Sequence, residues 1–136
     1  MALTRDKFIK GNSLKLEKVS VPEFGKDEKG EDEFVWIQEL SGEQRVEYND
    51  YVKSLKEEGQ TEMTPDNTLD VLGKLVVLCA VDDDRKPIFT DEDIVLMKKQ
   101  STQVISRLGE VALRISGVTK DAIEEAKRNL KNAPKG

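Results

Sequence analysis

The spacing of apolar residues changes near residue 41, and this change constrains the fold more than any other feature of the sequence. Before it, the stretches 14–25 and 32–40 place apolar residues near every second position, which is typical of strands. A charged loop with two glycines, GKDEKGED, lies between them, so the pair predicts a β-hairpin with a long tip. After residue 41 the apolar residues recur at helical spacing. The sequence therefore predicts an α+β fold that is predominantly α-helical, with an N-terminal β-hairpin followed by four to five helices.

Four residues have the side chains and the sequence context of helix N-caps. Ser41 is followed three residues later by a glutamine, which is the spacing of a capping box, and Thr64 precedes a proline at the first helical position. Thr90 precedes three acidic residues, which suit the first turn of a helix, and Thr119 precedes the last apolar-periodic stretch. These caps divide the stretch 41–131 into its helices.

Two of these helices have boundaries that the pattern does not decide alone. The run from Leu75 to Val81 is apolar on nearly every side and fits a buried helix or a buried strand. Its continuity with the capped stretch before it favours a central buried helix. The stretch from Asp91 to about Ser116 predicts one long helix, with a possible kink near Ser101.

The chain length of 136 residues fits a single domain, which we expect to span 1–136. It divides into an N-terminal segment at 1–12 with one short helical turn, the hairpin at 13–40, the helical part at 41–131 and a frayed tail at 132–136.

Several function classes are disfavoured by what the sequence lacks. It has no histidine, which removes histidine-based triads and most zinc sites, and it has no glycine-rich phosphate loop. Its single cysteine, Cys79, lies in an apolar run, where a core residue is expected rather than a nucleophile. The net charge of −5, without a basic stripe, disfavours a nucleic-acid partner, and no apolar run is long enough to cross a membrane. We expect no cofactor, no metal and no catalytic residue.

The acidic stretch 78–94 is the one place that resembles a metal-binding loop. Asp82 and Asp84 fit the first and third positions of the calcium-loop template. Lys86 and Pro87 stand where that template requires an oxygen ligand and a glycine, so the match fails. The stretch is better interpreted as a solvated turn followed by a helix start.

Leu96 and Met97 are candidates for surplus apolar surface. They are adjacent on the predicted helix, so one helix cannot direct both into the same core. We expect them to take part in partner binding or self-association.

The order of the elements, together with two stretches, resembles a known family. The stretches are LCAVDDDRKPIFTDED, from Leu78 to Asp93, and RLGEVALRISGVT, and the resemblance covers about 13–118. The chain resembles the tail assembly chaperones of long-tailed bacteriophages with non-contractile tails. The resemblance implies a protein without catalytic activity that binds the tape measure protein, keeps it soluble and helps to recruit tail tube protein. It also implies a homo-oligomer in the host bacterial cytoplasm that is absent from the mature virion.

Two other functions remain open from the sequence. One is a head–tail connector or completion protein, which would persist in the finished particle. The other is a small enzyme in which Asp82, Asp84 and Asp93 surround a magnesium ion.

Overall fold

The computed structural model describes residues 1–56 and 63–118, which form a small antiparallel sheet packed against helices. The helices and strands of these residues are, in chain order, α1 (Arg5–Lys10), β1 (Leu16–Ser20), β2 (Phe34–Gln38), α2 (Gly42–Leu55), α3 (Pro65–Cys79), β3 (Ala80–Val81), α4 (Ile94–Met97) and α5 (Thr102–Ile115). The predicted α+β fold, mainly helical with an N-terminal hairpin, is confirmed. Thr119, the last predicted helix and the predicted tail lie outside the described residues.

The hairpin is present, but its strands are shorter than predicted. β1 and β2 pair antiparallel with Val19 opposite Val35. β1 ends early because Pro22, which has no backbone N–H, begins a 3₁₀ turn over Pro22–Phe24. The sheet also contains a third strand that the sequence did not predict, since β3 pairs with β2 through Ala80 opposite Ile37.

Helix α3 forms the centre of the core, as the apolar run predicts. Leu75 and Cys79 are fully buried, and the run continues as a helix to Cys79 before it becomes β3. Helix α5 packs closely against α3, because Gly109 faces Leu72. A Cβ atom at position 109 would lie 2.5 Å from the Leu72 Cδ2 atom, so this close approach requires a glycine or a shift of the leucine.

The prediction of one long helix from Asp91 to about Ser116 is wrong, although the kink that it allowed near Ser101 lies at the observed break. A 3₁₀ turn at Asp91–Asp93 leads into α4, and the backbone of Ser101 is non-helical, with φ −56° and ψ 129°, before α5 begins. Met97 and Val104, on either side of the break, are seven residues apart, which is about two helical turns. Both face the core in the structure, as they would on one continuous helix, so their spacing alone does not show that the helix breaks.

Charges hold the end of α4 against α3. The Lys98 ammonium lies 2.8 Å from the Asp66 carboxylate and 3.0 Å from that of Asp70. These two acids raise the pKa of Lys98. The polar stretch that follows α4 thus begins with a lysine that has ion-pair partners in α3.

Two of the predicted caps make the bonds that define an N-cap. The Ser41 hydroxyl accepts from the Gln44 N–H at 3.2 Å, and the Ser41 N–H donates to the Gln44 Oε1 atom at 3.0 Å. The Thr64 hydroxyl accepts from the Asn67 N–H at 3.1 Å.

Thr90 lies in a different context from the predicted one. It precedes the short 3₁₀ turn rather than a long helix, and its N–H donates to the Asp93 carboxylate at 2.8 Å. The Thr90 hydroxyl also faces that carboxylate, at 3.5 Å. The acid thus provides the clearest capping bond at this turn.

Candidate functional site

An apolar groove of about 490 Å³ opens between the hairpin and the last two described helices. The hairpin contributes side chains from the turn after β1 and from the end of its loop into β2, and α3 contributes Val76. The remainder come from the loop before α4, from α4, from the segment between α4 and α5, and from α5. The apolar lining residues of the hairpin are Val21, Phe24, Phe34 and Val35, and those of α4 and α5 are Leu96, Met97, Val104, Ile105 and Leu108. Elements from both halves of the chain are therefore needed to form the groove.

Leu96 and Met97 both line the groove, but they do so differently. Leu96 is 58% exposed, whereas Met97 is only 7% exposed. Successive helical residues point about 100° apart, so one side chain faces outward and the next faces the core. The interpretation of Met97 as surplus apolar surface is therefore wrong, while Leu96 does present apolar surface. That either residue binds a partner stays a prediction.

The hairpin side of the groove is fixed to α5 by an ion pair. Both guanidinium nitrogens of Arg107 contact the Glu23 carboxylate, at 2.8 and 2.6 Å, and Nη1 also donates to the Ser20 carbonyl at 3.3 Å. The hydrogen bond from Arg107, together with a backbone hydrogen bond at Glu23, lowers the pKa of Glu23 from 4.5 to about 2. This bidentate contact holds the turn that carries Phe24, which is 57% exposed at the groove. Sequence analysis did not find the pair, because its residues are far apart in the chain.

Aromatic contacts fix a second side chain of the groove. The Phe34 and Trp36 rings meet edge to face with centroids 5.3 Å apart, and the Lys18 ammonium lies 4.3 Å from the Phe34 ring centroid. The Trp36 indole N–H donates to the Asp83 carboxylate at 2.8 Å. Phe34 is therefore held in place by Trp36 and Lys18.

The charges at the groove have one sign. Of the described residues that line it, Glu33 and Asp93 are the charged ones, and both are acids. The interior of the groove is therefore apolar and its charged edge is negative, which favours a partner that presents apolar side chains together with cations.

The acidic turn between β3 and α4 lies outside this groove. The Asp82 carboxylate accepts from the N–H groups of Asp84 and Lys86, at 2.8 and 3.0 Å. This arrangement is the local turn that the sequence predicts for the stretch. In the described part of the chain, no three His, Cys, Asp or Glu side chains are grouped so that they could hold a metal ion.

Arg85 ties this turn to the sheet. Its backbone is left-handed, with φ 63°, and its guanidinium donates to the Leu14 carbonyl at 3.2 Å and to the Gln38 side chain at 3.1 Å. A left-handed backbone is unfavourable for arginine, so these contacts stabilise a conformation that a free turn would avoid.

Helix α3 also carries two buried ionisable side chains, those of Lys74 and Cys79. The Lys74 ammonium, 5% exposed, lies 2.8 Å from the Asp91 carboxylate and 3.6 Å from that of Glu47. Sequence analysis did not identify this lysine. Cys79 is buried as predicted, and burial raises the pKa of its thiol to about 12, which keeps it protonated and unreactive.

No helix within 1–56 or 63–118 is both long enough and apolar enough to span a membrane.

Comparison with known proteins finds a family that matches the sequence and a solved structure that matches the fold. The family model described as phage tail assembly chaperone matches residues 9–129. The fold is similar to the solved structure of the bacteriophage HK97 tail assembly chaperone, with a TM-score of 0.54 and 20% sequence identity. That match covers 85% of this chain and 95% of the HK97 chain. No curated protein matches the sequence.

Proposed function

Because the chain belongs to the phage tail assembly chaperone family, we propose that it binds the tape measure protein of its phage, keeps that protein soluble and helps to recruit tail tube subunits around it. The chain acts by binding alone, without catalysis or a cofactor. It works in the host bacterial cytoplasm as a homo-oligomer and is absent from the mature virion.

The open apolar groove is the observation that carries the proposal. A groove of about 490 Å³ with an apolar lining can receive one stripe of an amphipathic helix, whose anchors recur at positions i, i+3, i+4 and i+7. A tape measure protein is long and largely helical, so it presents such stripes repeatedly. One copy of the chaperone would cover one stretch of that helix, and many copies would be needed to cover its length.

The exposed Leu96 provides a direct test. The phage's tape measure protein is co-expressed with the wild-type chain, with Leu96→Asp or with Val46→Asp, and the soluble tape measure protein is quantified. Val46 is a matched control, because it is 60% exposed and lies on α2, which does not line the groove.

The wild-type chain and Val46→Asp should keep the tape measure protein soluble and purify with it. Leu96→Asp should reduce the co-purified amount at least tenfold, or about 1.4 kcal/mol, because a carboxylate would have to be buried against an apolar helix. A Leu96→Asp chain that performs as well as the wild type would contradict the assignment of the groove. A tape measure protein that is equally soluble without any chaperone would contradict the function.

The alternative functions are separated by two further measurements. Mass spectrometry of purified virions should not find the chain, whereas a stoichiometric amount would favour a connector. Titration with millimolar Mg²⁺ should leave the amide signals of Asp82, Asp84 and Asp93 unchanged. Saturable shifts at all three would favour the carboxylate enzyme.

A further inference from the structure

The first ten residues form an apolar and basic segment that has no place in the fold of its own chain. Every residue from Met1 to Lys10 is exposed, and α1 buries none of its side chains. Leu3, Phe8 and Ile9 are 60%, 71% and 63% exposed. We call Met1–Lys10 the N-terminal arm.

The arm is nevertheless organised as a helix. The Thr4 hydroxyl accepts from the Lys7 N–H at 3.2 Å and caps α1. A six-residue helix is only marginally stable in water without packing. A capped helix with large exposed apolar side chains is therefore suited to binding another surface.

The arm and the groove are complementary in both apolarity and charge. The arm carries three cationic side chains, Arg5, Lys7 and Lys10, against one acid, Asp6. The charged residues that line the groove, within the described part of the chain, are both acids. We propose that the N-terminal arm of one copy docks in the apolar groove of a second copy, with Phe8 and Ile9 inserted between the hairpin and α4.

The arm does not occupy the groove of its own chain, and we therefore place it in the groove of a second copy. In the single chain the arm is exposed and the groove is open.

The inference rests on the proposed function in one respect, since it takes the groove to be a surface that accepts a helix. An arm in the groove excludes a client helix from it, so a tape measure helix and a neighbouring copy compete for the same surface. Because arm and groove are different surfaces, docking is head to tail and can join more than two copies.

The test is the molar mass in solution, measured by light scattering over a hundredfold dilution. The wild-type chain should show at least twice the 15.3 kDa monomer mass at the high end and approach the monomer mass on dilution. Both Phe8→Ser/Ile9→Ser and Leu96→Asp should stay at the monomer mass, and Phe24→Ser serves as a second groove variant. Val46→Ser, on α2, should behave as the wild type.

A mixing experiment distinguishes arm docking from general stickiness. The arm variant keeps an intact groove, and the Leu96→Asp variant keeps an intact arm. Mixed together they should form a one-to-one complex of twice the monomer mass, although neither associates alone. Circular dichroism confirms that each variant is folded, as expected for changes at exposed side chains.

Three results would overturn the inference. The first is a wild-type chain that stays monomeric at the highest concentration. The second is undiminished association of both the arm variant and the groove variants. The third is association that persists in the arm variant and disappears on removal of residues 119–136, which would assign the groove to the other end of the chain. Solubility of the tape measure protein with the arm variant tests the proposed function separately, because that variant keeps the groove.

Discussion

Leu96 and Met97 are neighbours in the chain, and replacing each with alanine should have opposite consequences. Met97 is 7% exposed and belongs to the core, whereas Leu96 is 58% exposed at the groove. Met97→Ala should therefore reduce the stability of the fold, and Leu96→Ala should mainly reduce client binding.

The burial of the two side chains sets the size of each effect. Replacing a buried methionine with alanine destabilises a protein by about 2–5 kcal/mol. Met97 lines an open groove, so water and neighbouring side chains can fill part of the space, and we expect about 2 kcal/mol. Leu96→Ala removes less than half of the burial of a leucine, which corresponds to a loss below about 1 kcal/mol.

Urea unfolding followed by circular dichroism measures both changes. With a dependence of ~2 kcal/mol per molar urea, the midpoint for Met97→Ala should fall by about 1 M. The midpoint for Leu96→Ala should fall by less than about 0.5 M. In the co-purification assay the order should reverse, with Leu96→Ala recovering several-fold less tape measure protein than folded Met97→Ala.

Equal losses of stability for the two variants would refute this reasoning, because they would mean that α4 does not direct the two side chains differently. A Met97→Ala variant with unchanged stability would refute it as well, since the core would then not depend on a side chain that is buried in it.

Three further predictions concern the turn, the caps and the ion pair. Asp82→Asn should change the free energy of unfolding by less than about 0.5 kcal/mol, because the amide oxygen can still accept both backbone hydrogen bonds. Asp82→Ala, which removes both bonds, should cost about 1–2 kcal/mol, and equal losses for the two variants would indicate a role for the charge. Ser41→Ala should lower the free energy of unfolding by about 1 kcal/mol, and Thr90→Ala by about 0.5 kcal/mol, because Asp93 provides the clearest capping bond at the second site. A larger loss for Thr90→Ala than for Ser41→Ala in urea unfolding would contradict this. The pKa of Glu23 is lowered from 4.5 to about 2, mainly by its hydrogen bond from Arg107, so the ionised carboxylate stabilises the fold above pH 4.5 and this contribution is lost as the pH falls towards 2. Unfolding of Glu23→Gln should therefore differ from that of the wild type above pH 4.5 and converge with it near pH 2, and a constant difference across this range would contradict the pair.

Local sequence patterns were sufficient to predict the elements that depend only on residues nearby in the chain. The Ser41 and Thr64 caps each bond within three residues, and the hairpin follows from alternation within two short stretches. Strand β3 could not be predicted in this way. It has two residues, and they form a strand only because β2 lies beside them.

The two errors in the second half of the chain have different causes. An apolar pattern reports which side of an element faces the core, but it does not report whether the backbone between two such positions is continuous. Met97 and Val104 fit one apolar stripe, so the pattern favoured one helix with at most a kink near Ser101, whereas the structure has two helices. The orientation of Met97 was missed because adjacency shows that only one of two residues can be buried, and it does not show which one.

The groove depends on the break at Ser101. Leu96 and Met97 come from α4, Val104 and Leu108 come from α5, and the backbone between them changes direction at Ser101. The hairpin turn, fixed by Glu23 and Arg107, supplies the opposing side. A chaperone must keep apolar surface available without aggregating, and this chain does so with 36% charged residues while confining a groove of about 490 Å³ between rigidly held elements. Apolar side chains that are exposed at a supported groove bind a helix at little conformational cost, and this is the physical reason to place client binding there rather than on the exposed face of α2.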